Sequence, residues 1–163
     1  MEQFWLLRIE YARFDEKNFQ KTIGNLGSTK YYLSAKDSEA PWITHCVSAV
    51  RHILRRTTGW MLPHYYVGNM CRKILDNSRI SSHLIPLEEW EMGDLIFFHR
   101  KSAFHQAYMI THMWICMDEN SFFHSSWWNW GKINKINDCL SKGNIATCKI
   151  LSNFTDPREK VIL

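Results

Sequence analysis

The chain has 163 residues, and one domain of that size buries about two-thirds of the surface its unfolded form exposes. A 45% apolar share beside 22% charged residues is that of a globular protein and not of a disordered one. The formal charge of +4 comes with no block of like basic residues, so nucleic acid is not implied, and no apolar run reaches the roughly 18 residues a membrane helix needs.

Five cysteines form no framework and no Cys-x-x-Cys pair, which argues against a structural zinc site. Reduced thiols are the simple account, with Cys71, Cys116 and Cys148 as small apolar residues. The N-terminus, Met1 to Arg8, has no basic leader and too short an apolar run for a signal peptide. The expectation is synthesis in the cytoplasm, with a specialised secretion route or lysis carrying the protein to any site outside.

In chain order, Phe4, Leu7, Tyr11, Phe14 and Phe19 suggest an amphipathic helix over residues 2–19, broken by Gly24-Asn25-Leu26-Gly27-Ser28. Tyr31-Tyr32-Leu33 is a short apolar patch before a polar loop. Thr44 reads as the N-cap of a helix carrying Val47, Val50, Ile53 and Leu54, with its stop at Thr57-Thr58-Gly59. Another helix fits Val67, Met70, Cys71, Ile74 and Leu75. A turn at Gly93-Asp94 leads into a buried strand, Leu95 to Phe98, and His99 to Gln106 reads as a polar loop. A β-hairpin over 109–125 follows, then Trp127-Trp128-Asn129-Trp130-Gly131 and a strand at 145–151. No linker, repeat or low-complexity run divides residues 1–163, which read as one domain. Helices first and strands afterwards indicate α+β with N-terminal helices on an antiparallel sheet.

Cys46, His112 and His124 carry the candidate chemistry. A thiol in the first turn of a helix faces unpaired N–H groups that favour its thiolate. An imidazolium nearby does more, and His112 is the candidate base, later the acid for a leaving amine. If Asp118-Glu119-Asn120 makes a three-residue loop, Met117 faces Ser121 and His112 faces Ser126. His124 is then the diagonal neighbour of His112 on the same sheet face, about 7–8 Å away between backbones, and can orient it. The bland alternative for each residue alone is packing. His99, His105, His112 and His124 could be imagined as a zinc set, but they follow no His-x-His or His-Glu-x-x-His pattern. His45 could line the cleft or simply be exposed. Trp127, Trp128 and Trp130 could form a stacking wall for a sugar or peptide, with core packing or an oligomer contact as the alternatives.

At these residues the chain resembles the NlpC/p60 family of papain-like cell-wall peptidases. His45-Cys46-Val47-Ser48-Ala49-Val50 stands where that family has Asp-Cys-Ser-Gly and an apolar residue. Met92-Gly93-Asp94-Leu95-Ile96-Phe97-Phe98 is close to its Pro-Gly-Asp-Leu-Val-Phe-Phe strand. Thr111-His112-Met113-Trp114-Ile115-Cys116 and Phe122-Phe123-His124-Ser125-Ser126 mirror its two histidine strands. The resemblance implies a papain-like α+β fold and hydrolysis of an amide bond in peptidoglycan stem peptides. Cys46 would be the nucleophile, His112 the base and His124 the third polar residue, with no metal or other cofactor. His45 replaces an Asp that helps hold the free amine of the stem, and Trp114 replaces the family's Gly. Injected amidases and phage lysins share this profile, and an injected amidase would need an inhibitor or immunity partner. Two alternatives stand beside it. One is a papain-like hydrolase or deamidase acting on a protein; the other is a catalytically silent binding module on the same fold.

Overall fold

A computed structural model describes residues 3–64, 70–86, 89–101, 108–118, 121–126 and 130–135. Its main sheet has six strands in the order β4-β1-β5-β6-β7-β8 and is antiparallel throughout. These are β1 (Gln3–Ile9), β4 (Ser82–Ile85), β5 (Leu95–Lys101), β6 (Tyr108–Cys116), β7 (Ser121–Ser126) and β8 (Trp130–Lys135). Two short strands, β2 (Lys30–Tyr31) and β3 (Ile43–Thr44), pair in parallel beside it. The helices are α1 (Glu16–Asn25), α2 (Cys46–Thr58) and α3 (Met70–Asp76). The class is α+β.

The expected N-terminal helix is instead β1 followed by α1. Leu6 and Leu7 are adjacent and both buried, so β1 presents apolar residues to both faces and loses the period-two signature of a half-exposed strand. α1 starts later, where Asp15 caps it by accepting from the Asn18 N–H at 3.0 Å, and it buries Phe19, Thr22 and Ile23. Helices therefore do not all precede strands: β1 lies inside the sheet, between β4 and β5. His99 to Lys101, expected in a loop, extend β5, and β4 and β8 were not foreseen. Trp127, Trp128 and the strand expected at 145–151 lie outside the described residues.

α2 forms where its stripe predicted. Val50, Ile53 and Leu54 are fully buried, each contributing about 1.5–3 kcal/mol relative to exposure. Gly59 ends the helix in a left-handed conformation (φ 72°) that a side chain would resist. One face of the sheet meets the helices through Leu7, Leu95, Phe97, Met113, Ile115 and Phe123, all in one buried cluster with Val47, Val50 and Cys46. Leu6, Ile96, Cys116 and Phe122 are buried on the reverse face. Asp94 ties the turn before β5 to β1: Arg8 holds its carboxylate through two bonds of 3.0 Å, and the Glu91 N–H adds a third of 2.6 Å. Burial nevertheless pushes the Asp94 carboxyl up, against the pull of Arg8.

Candidate active site

Cys46 is the first residue of α2, and the cap is His45, one position later than expected. The His45 Nδ1 accepts from the Ser48 N–H (3.3 Å), and the Ser48 hydroxyl accepts from the His45 N–H (2.9 Å). This reciprocal cap satisfies two N–H groups that the helix start leaves open. His45 is thus half-buried and structural in position. Its proton affinity is lowered by burial first and next by His64, whose ring centroid lies 6.3 Å from its own.

Thr44, displaced from the cap, ends β3 with its hydroxyl buried. It donates to the Ser125 Oγ at 3.0 Å and lies 3.0 Å from the Thr29 Oγ1. Since the Thr44 hydrogen is used on Ser125, Thr29 must donate to Thr44. The chain of three hydroxyls ties the segment entering the cysteine helix to the residue after His124. Nothing in the residue pattern singled out these hydroxyls, because serine and threonine suit loops and strands alike.

The Cys46 side chain sits at the β6 backbone. The N–H groups of Met113, Val47 and Cys46 itself favour its thiolate, but burial outweighs them and pushes the thiol up. The lowered pKa expected of a helix-start cysteine is therefore not what the resting structure shows. Water exclusion counts for more here than the helix dipole. Tyr31 is a neighbour the sequence did not reveal: its phenol is pushed up by burial and by the charge Cys46 would carry.

The hairpin has the expected register. The Met117 N–H donates to the Ser121 carbonyl (2.9 Å), and Ile115 pairs with Phe123. By alternation His112, Trp114, Cys116, Phe122 and His124 share one face. His124 is buried, and its ring stacks on the Trp114 indole at 4.2 Å, with Phe122 on the same indole at 4.3 Å. His112 is half-buried. The register at the paired end is the one that would make the two imidazoles diagonal neighbours.

The face they share is the reverse of the one that packs on α2. Met113, Ile115 and Phe123 lie in the helix-side cluster with Cys46, and alternation assigns His112 and His124 to the other face. Among the described residues the β6–β7 pairing is confined to Ile115–Phe123 and Cys116–Phe122. Just beyond it, the Met113 N–H meets the Cys46 sulfur. Cys46 is therefore beside the backbone of the residue that follows His112.

Among the described residues, no group of three or more His, Cys, Asp or Glu side chains could hold a metal ion. No helix among them is long and apolar enough to cross a membrane. The chain matches no protein-family model and no curated protein.

Proposed function

We propose that the chain is a papain-like cysteine hydrolase that cleaves an amide bond, with Cys46 as nucleophile, His112 as base and His124 as the residue that orients it. The observation carrying this is the Cys46 sulfur at the head of α2, against the Met113 N–H next to His112. A buried, protonated thiol needs its proton removed as it attacks. His112 would take that proton as the sulfur attacks. The sulfur then bonds to the substrate carbonyl carbon, and the Cys46 N–H stabilises the oxyanion. Collapse expels the amine, which takes its proton from His112, and water hydrolyses the thioester. Stacking on Trp114 fixes the plane of His124, so in this chain the indole supports the third residue where the resembled family has glycine.

The resemblance in the Gly93-Asp94-Leu95-Ile96-Phe97-Phe98 block and both histidine strands supports an NlpC-type identity. It makes the peptide stems of peptidoglycan the first substrate to test. A second reading has its own support: a raised thiol pKa and imidazoles on the reverse face suit a fold retained for binding.

Mass spectrometry of peptidoglycan fragments incubated with wild type and with Cys46→Ala separates these readings. A stem-peptide product that requires Cys46 names the bond. Without a product, rapid alkylation of Cys46 by iodoacetamide at neutral pH keeps the hydrolase and moves its substrate to a protein. No product together with a sluggish Cys46 overturns the hydrolase and leaves binding.

A further inference from the structure

A cavity of about 180 Å³ opens between α1 and α2, apart from Cys46 and the hairpin. From α1 it is lined by Asn18, Lys21 and Asn25, and from α2 by His52 and Arg56. The spacing is that of two facing helix stripes: Asn18, Lys21 and Asn25 recur at three and four residues, and His52 and Arg56 at four. No carboxylate lines the cavity among the described residues. The ion pairs among those residues use Arg8, Arg13, Arg51 and His83, leaving Lys21 and Arg56 outside them. Like charges from two helices thus face each other across one small space. That arrangement is unfavourable in an empty groove and favourable around an anion.

We propose that this cavity is a binding site for a phosphate group, held by Lys21, His52 and Arg56 with Asn18 and Asn25 donating from the α1 side. A tetrahedral phosphate accepts hydrogen bonds from all sides, which suits donors converging from two helices. The Arg56 guanidinium supplies a planar fork and Lys21 a point charge. A planar carboxylate would leave part of this donor set unused. His52 reports the local field. Its proton affinity is lowered by burial first and then by Arg56 and Arg55, while Asp37, itself paired with Arg51, acts in the opposite sense. The site does not depend on the reading of Cys46.

The test is a titration of the full chain with inorganic phosphate at constant ionic strength, following the His52 ring proton by NMR, with acetate as a parallel arm. Phosphate should saturate the signal with a Kd of about 1 mM or tighter. It should also raise the His52 midpoint by roughly half a unit or more, since a bound anion stabilises the imidazolium. Lys21→Gln with Arg56→Gln removes two exposed side chains, so the fold and the other histidine signals should persist while the phosphate response is lost. A linear, non-saturating response identical in wild type and the double variant would show a solvated basic groove and overturn the site. Acetate matching phosphate in affinity would overturn the assignment to phosphate.

Discussion

Replacing Thr44 by valine keeps the shape of the side chain and deletes the central member of the hydroxyl chain. Thr29 then loses the acceptor for its proton, and Ser125 loses its donor. Both groups are about 1% exposed, so water cannot substitute without opening the contact between β3 and β7. An unsatisfied buried hydroxyl costs about 1–3 kcal/mol. Two of them, each free to rotate toward another partner, put Thr44→Val at roughly 2–4 kcal/mol. For a chain of this length that lowers Tm by roughly 5–15 °C. Ser125→Ala alone should cost about 1 kcal/mol, because Thr44 keeps its bond from Thr29 and only its own proton loses an acceptor. The double variant orphans only Thr29, at about 1–2 kcal/mol, so its loss should fall short of the sum by about 2–3 kcal/mol. Urea unfolding followed by tryptophan fluorescence measures all four chains, and unchanged slopes would show that only stability has moved. Additivity within about 0.5 kcal/mol, or a Thr44→Val variant as stable as wild type, would refute the hydroxyl chain as a tie between the two strands.

His45→Ala removes the acceptor for the Ser48 N–H and should destabilise by about 1 kcal/mol, whereas His45→Asn should restore most of the loss because asparagine caps well. The pH dependence has a definite sign. The folded His45 binds its proton less readily than the unfolded one, so the unfolded state holds more protons between the depressed folded pKa and about 6.5. Stability conferred by the neutral cap is complete above that window and falls as pH drops through it. In chemical denaturation across this range, His45→Asn should show a shallower slope than wild type; an equal slope would contradict the cap. Gly131→Ala would drive a Cβ into the Leu26 carbonyl and to 2.8 Å from the Thr29 Cγ2. It should strain the Gly131 N–H bond to the Thr29 carbonyl and cost about 1–3 kcal/mol. Gly24→Ala meets nothing within 4 Å and lies inside α1, so it should be neutral or stabilising by up to about 1 kcal/mol. Thermal melts of the two variants side by side check the contrast.

What could be read from the residues alone follows how one-sided each element is. α2 was legible because its apolar stripe has one face and Gly59 marks its end. The hairpin register was legible because the loop length fixes which residues oppose one another, and Met117 does meet Ser121. β1 was not, since a strand buried on both faces has no alternation to find. β8 was not either: within Trp130–Lys135, Ile133 is 51% exposed, so no inward apolar set announces the strand. The same two-sided burial decided the site. Alternation along 112–116 and 121–125 puts His112 and His124 on one face, but that face also carries Trp114 and Phe122, while the other carries Met113, Ile115 and Phe123. Both are apolar enough to pack against a helix. The residues therefore fix which side chains travel together, and long-range packing selects the face that α2 covers. It selected the one that alternation assigns to Met113, Ile115 and Phe123 rather than to the imidazoles.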